Sequence, residues 1–327
     1  MFWDRDRDYI ESGLFTTRYL GRQQIAEQFL GLISRYGGIY IPEKWDTEER
    51  TRRSFRDGLA EVIREWTSGT EMKSLFFHRK KPVEIMMSLD IERFARAKFN
   101  SFSAYIRDKN FKQPGKIEEF LQFALDLGVT ISADYGFISQ TLQERRQSPI
   151  LTPAERLPGI YWANFFGRPY IEFFGRDKLL ATPCYEVREI SKDLILLLAS
   201  QSPYDPDMLD NDRVVEVIKE YLGQNAFPGP RFPDEPCDVP RFDFSHVRGV
   251  QASEQIPSES PGEKAMKIRL ELESKGYQVF KEVEGQFLLR GQDGSVVLVD
   301  VSTGSISLDT TGVLLLTDEE GSGNRRH

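Results

Sequence analysis

The unbroken apolar run over residues 194–199 constrains this chain more than any other segment. It falls far short of the roughly 18 residues a membrane-spanning helix requires, so it reads as a strand. Side chains of a strand alternate between the two faces of its sheet, and a run with no polar residue must be covered on both. The sequence therefore calls for a strand in the middle of a sheet with a layer on each side.

Candidate layers follow from helical periodicity. Ile25, Phe29, Leu32 and Ile33 fall on one stripe, ended by Gly37 and Gly38. Residues 39–41 then read as a short strand. Asp46 and Glu49 have the spacing of a capping box, which predicts a helix opening there and running through Phe55, Leu59, Val62, Ile63 and Trp66 to Gly69. The apolar runs 75–77 and 83–89, joined by the polar stretch 78–82, predict a hairpin. Residues 94–106 settle into neither period. Pro114 and Gly128 bracket a helix built on Ile117, Phe120, Leu121, Ala124 and Leu125. A strand over 129–138 follows, in which Gly136 marks a bulge or a close backbone approach.

Residues 38–138 thus read strand, helix, strand, strand, helix, strand, the split-βαβ order. The order recurs with a strand at 160–166, a helix over 169–180 opened by Pro169 and weakened by Gly175, strands at 185–188 and 194–199, and a helix on Val214, Val215, Ile218 and Leu222 ended by Gly223. The expected class is α+β, with tandem ferredoxin-like halves over 1–138 and 139–247, the second packed on the first. Residues 224–262 are rich in Pro, Gly, Ser and Asp, and a linker is placed at 248–262. A small module over 263–320 joins a helix on Ala265, Ile268 and Leu272 to a β-meander of short runs ending at 313–316. A polar tail, 321–327, completes the chain.

At 327 residues there is room for two or three such units. Against 43 Lys plus Arg stand 51 Asp plus Glu, a net charge of -8 that argues against neutralising a phosphate backbone. Neither nucleic acid nor membrane is an expected partner. Cys184 and Cys237 are too few for a disulfide framework, and the charges of Asp4, Arg5, Asp6, Arg7 and Asp8 interrupt any signal-peptide core. A cytoplasmic location is expected.

Reactive side chains are sparse. His78, His246 and His327 have no ligand partner at metal-binding spacing, and the cysteines form no CxxC pair, so neither metal nor cofactor is expected. Cys184 could meet His78 or His246 as a nucleophile, or be a small buried hydrophobe. No GxxxxGK[ST] loop, post-strand GxGxxG or GxSxG elbow occurs. Asp205, Asp207, Asp210 and Asp212 crowd the start of a helix without the glycine and distal glutamate of a calcium loop; they cap backbone N–H groups or meet a basic partner. Asp134 is a lone candidate base. On the aromatic stretch 161–175, alternation sets Trp162, Asn164 and Phe166 opposite Tyr161, Ala163 and Phe165. One face is core; the other is a second core contact or an exposed anchor for a partner.

The stretch Tyr161-Trp162-Ala163-Asn164-Phe165-Phe166-Gly167-Arg168-Pro169-Tyr170, with Gly175-Arg176-Asp177-Lys178-Leu179-Leu180 and Pro183-Cys184-Tyr185-Glu186-Val187, resembles a segment shared by bacterial immunity proteins of polymorphic toxin systems. The resemblance spans about residues 130–222. It implies a cytoplasmic, non-catalytic protein that binds and neutralises a toxin domain. Two readings result. The first is a protein-binding protein of this immunity type, with Trp162, Asn164, Asp205, Asp207, Asp210 and Asp212 as contact candidates. The second is an enzyme or small-ligand binder with a composite site of Asp134, Tyr135, Glu172 and the 205–212 acids.

Overall fold

A computed structural model of the chain describes residues 9–69, 72–92, 99–141, 153, 157–209, 212–227, 238–244, 268–270, 272–273, 276–283, 286–291, 296–300 and 305–308. Its framework is a single ten-stranded sheet. In chain order the strands are β1 (Tyr9–Thr16), β2 (Lys44–Asp46), β3 (Arg53–Ser54), β4 (Met72–Arg79), β5 (Ile85–Glu92), β6 (Asn100–Arg107), β7 (Tyr135–Gln140), β8 (Ala163–Gly167), β9 (Glu186–Ser191) and β10 (Leu194–Leu198). In space the order is β3-β2-β4-β5-β6-β1-β7-β8-β10-β9, and every ladder is antiparallel.

Helices α1 (Gln23–Tyr36), α2 (Leu59–Trp66) and α3 (Lys116–Ile131) share one core with Leu75, Phe77, Met87, Leu89, Phe102, Ala163, Phe165, Leu194, Leu196 and Leu198. Helices α4 (Arg168–Phe174), α5 (Arg176–Leu180), α6 (Pro206–Leu209) and α7 (Arg213–Leu222) share another with Tyr135, Phe137, Phe166, Ile195 and Leu197. Successive residues of β10 divide between the two cores, which places the helix groups on opposite faces of the sheet. The first group covers the sheet from β4 to β10. The second covers only the β7, β8 and β10 end.

The class is α+β, but the wiring is not the tandem split-βαβ order. Strands β4, β5 and β6 form a consecutive meander, and β1 is inserted between β6 and β7. Glu11, Ser12 and Gly13 interrupt any apolar alternation in β1, which hid it from periodicity. Ile39 and Tyr40 belong to a 3-10 turn, Gly38–Tyr40, which Ile41 ends, and no strand forms there. Asp46 opens no helix: its carboxylate accepts the Thr47 and Arg52 N–H groups at 2.9 and 3.2 Å, and α2 begins only at Leu59. The helix ended at Gly128 by expectation continues as α3 to Ile131, and left-handed Ser132 (φ 51°) turns it into β7. Gly175 (φ 89°) splits 169–180 into α4 and α5.

Gly136 is a close approach, not a bulge. A β-carbon there would lie 2.5 Å from a Leu14 methyl and 3.0 Å from the Gly13 carbonyl oxygen on the paired strand. Near the C-terminus, β11 (Gln278–Val283), β12 (Gln286–Arg290), β13 (Val296–Asp300) and β14 (Ser305–Leu308) pair in sequence order as a four-stranded meander. Leu270, on the short helical stretch before it, is buried in the α1–α3 core. The 313–316 run and the 248–262 linker lie outside the described residues.

Candidate functional site

The aromatic stretch that carries the family resemblance is a structural knot. Trp162 is 3% exposed, and its indole N–H donates to the Ser200 carbonyl at 3.1 Å. Asn164 is fully buried; its amide oxygen accepts the Tyr161 N–H at 2.9 Å and its amide nitrogen donates to the Tyr161 carbonyl at 2.8 Å. That clasp holds residues 161–162 out of the strand, which starts at Ala163. Trp162 consequently shares the core of Ala163 and Phe165, opposite to strict alternation. Gly167 is required because a β-carbon would sit 2.3 Å from the Ala133 carbonyl oxygen. Neither Trp162 nor Asn164 presents surface to a partner.

The described acids of 205–212 do not form one site. Asp205 caps α6, accepting the Asp207 N–H at 2.9 Å, and Asp207 is exposed. Asp212 precedes α7 in a left-handed conformation (φ 48°), its carbonyl accepting the Glu216 N–H at 2.9 Å. Asp210 lies outside the described residues. Among the described residues no group of three or more His, Cys, Asp or Glu could hold a metal ion. Cys184 donates to the Glu186 carbonyl at 3.4 Å, and burial pushes its thiol up to about 11, which opposes thiolate chemistry.

Two depressions stand out among the described residues. A polar cleft of about 600 Å³ brings Asp134 and Glu172 together with Arg18, Arg168, Asp193 and Arg241. Asp134 is committed there to structure: its carboxylate accepts the Thr17 N–H at 2.6 Å, and its carbonyl accepts the Gly167 N–H at 2.9 Å. Glu172 accepts from Arg168 at 2.8 Å, and that hydrogen bond raises the pKa of an otherwise solvated guanidinium. Tyr135 points into the aromatic core beside Tyr170 and Phe166, and of the described acids in 205–212, Asp205, Asp207 and Asp212, none lines the cleft. Of the composite site's described residues, only Asp134 and Glu172 share a wall.

The second depression, about 290 Å³, lies on the face of β4, β5 and β6 turned away from α1, α2 and α3. Register stacks His78, Met86 and Tyr105 in one row and Phe76, Ser88 and Ser103 in the next. All six are half-buried, and Phe76, Met86 and Tyr105 belong to neither large core. Glu49, Arg50 and Thr51, from the β2–β3 connection, form the lip. Below this groove Asp90 accepts the Ser74 and Ser101 hydroxyls at 2.6 and 3.1 Å. Glu84 closes the other end: Tyr9 donates to it at 3.3 Å, the Arg107 guanidinium pairs with it at 3.4 Å, and His78 Nε2 stands 3.6 Å away, beyond hydrogen-bond reach. The hairpin expectation for 75–89 placed Phe76, Met86 and Ser88 on paired strands, but it put His78 in the connection, left Tyr105 unassigned and did not reveal the open face. Its signal was present in β5, where Met86, Ser88 and Asp90 alternate with Ile85, Met87, Leu89 and Ile91.

No family model matches the chain, and no curated protein matches it. Among solved structures it is similar to Pseudomonas aeruginosa T6SS protein PA0821, at 11% identity over 74% of this chain and 81% of that one, with a TM-score of 0.45. A likeness of that degree leaves fold and function to be argued from the chain's own residues. No described helix is long and apolar enough to cross a membrane.

Proposed function

We propose that this chain is a non-catalytic protein-binding protein that binds and neutralises a toxin domain in the cytoplasm. The observation that carries the reading is the half-open face of β4, β5 and β6, where large apolar side chains line a groove outside both cores. Isolated apolar residues on a surface need no explanation, but a contiguous set rimmed by polar groups is the usual character of a contact surface. The resemblance of the 160–187 stretch to immunity proteins supplies the toxin as partner. Asp205 and Asp207, solvent-facing or nearly so, belong in this reading to a wider acidic surface suited to a basic partner.

In the same reading 1–138 and 139–247 act as one binding body through their shared sheet, and 263–320 is an appended module beyond the 248–262 linker. The alternative, an enzyme or small-ligand site, is favoured by one observation, the shared cleft of Asp134 and Glu172. It is weaker because Asp134 already serves the backbone of Thr17 and Glu172 is paired with Arg168. Expression of a toxin domain encoded beside this gene, with and without this chain, tests the proposal. Restored growth and an isolable complex are expected; a toxin equally lethal in both cultures refutes it.

A further inference from the structure

We propose that the groove over Phe76, Met86 and Tyr105, together with Asp90, receives a basic segment of the protein partner, which inserts an aromatic side chain into the groove and sets a lysine or arginine against Asp90. This deepens the protein-binding reading and rests on it. Size argues first. At about 290 Å³ the groove falls at the floor of the roughly 300–1,000 Å³ typical of small-molecule sites, and it suits one large anchoring side chain of a macromolecule. Unmet hydrogen bonding argues next. Among the described residues the buried Nε2 atom of His78 has no hydrogen-bond partner, since Glu84 is 3.6 Å away, and a tyrosine hydroxyl or indole N–H entering beside it would satisfy it.

Charge then fixes the sign of the partner. Glu49 and Arg50 oppose one another on the lip, and Glu84 is answered by Arg107. Asp90 is hydrogen-bonded only to serine hydroxyls, and no ion pair neutralises it among the described residues. The chain's net charge of -8 adds long-range attraction for the same sign. Asp90 follows Met86 by four residues on one strand face, a separation of about 13 Å at 3.3–3.4 Å per residue. An extended segment with its aromatic and basic residues four apart matches that span.

The experiment titrates the full chain, with methionine methyls labelled for NMR, with the capped pentapeptide Trp-Gly-Gly-Gly-Lys. A saturable shift of the Met86 methyl, with the core methyl of Met87 little moved, is expected. Replacing the peptide's lysine by glutamate should weaken binding about fivefold, the span between an attractive and a repulsive half-exposed pair, and replacing its tryptophan by alanine should abolish saturation. Asp90→Asn should erase the lysine-over-glutamate preference; should that variant not fold, loss of the preference at high salt in the unmodified chain reads the same contact. A static Met86 methyl, or equal binding of the two charged peptides at low salt, overturns the proposal. Toxin neutralisation without peptide binding removes this site and keeps the protein-binding reading, whereas peptide binding without neutralisation keeps the site and removes the toxin.

Discussion

Strands β10 and β5 are both interior strands of the same sheet, and their side chains live in different surroundings. In β10 every residue is 4% exposed or less, because α1–α3 lie on one side and α4–α7 on the other. In β5 buried and half-buried residues alternate from Ile85 to Glu92. The period of apolar residues along a strand therefore reports how many layers cover it, not where it sits in the ladder order. Truncation gives the sharpest way to break this comparison. Leu196→Ala and Leu197→Ala should each cost about 2–5 kcal/mol of unfolding free energy in urea, with both neighbours in β10 equally sensitive. In β5, Met87→Ala should fall in the same range and Met86→Ala under about 1 kcal/mol. Equal costs for Met86 and Met87 would mean that the β4–β6 face is closed and the groove is core.

A smaller effect separates the covered end further. Asn164→Ala leaves the Tyr161 N–H and carbonyl without their partners in a fully buried site, a loss of about 2–3 kcal/mol that thermal unfolding would register. An unchanged melting temperature would show that the clasp does not hold the turn. Gly136→Ala tests the seam between the two regions, where β7 meets β1: the added methyl meets both the Leu14 side chain and the Gly13 carbonyl, and about 1–3 kcal/mol of strain is expected. Its stability relative to the wild-type chain in the same urea series decides this.

Much of this architecture is visible in the chain because it depends on local periodicity. The β10 run, the stripes of α2, α3 and α7 and the four-strand meander all announce themselves through side chains that repeat at the period of their element. What periodicity misses is decided at long range. Strand β1 is held by ladders to residues 100–107 and 135–140, so its own Glu11-Ser12-Gly13 centre need not alternate. Asp46 and Glu49 match a helix start in spacing, yet Trp45 is fully buried in β2 and draws Asp46 into a strand end, where the carboxylate caps a turn. The candidate site follows the same division. Aromatic richness at 161–175 signals packing and function alike, and only Asn164's clasp resolves it towards packing. The groove's residues come from three strands and a loop, so no window of sequence brings them together.

The mildest change probes the core behind β7 that the open end lacks. Tyr135 is fully buried among Phe15, Phe137, Phe166 and Tyr170, and its hydroxyl has no hydrogen-bond partner among the described residues. Removing an unsatisfied hydroxyl while keeping the ring relieves a desolvation cost, so Tyr135→Phe should leave stability unchanged or raise it by up to about 1 kcal/mol near neutral pH. The sign should become clearer in alkali. Burial raises the Tyr135 pKa well above its ordinary value, so the native state keeps a proton that the unfolded chain releases above about pH 10, and stability falls with rising pH there. Phenylalanine has no proton to release. The variant's advantage over the wild-type chain should therefore widen as pH rises past 10, and a gap that narrows instead would mean that the Tyr135 hydroxyl has found a partner in the folded protein.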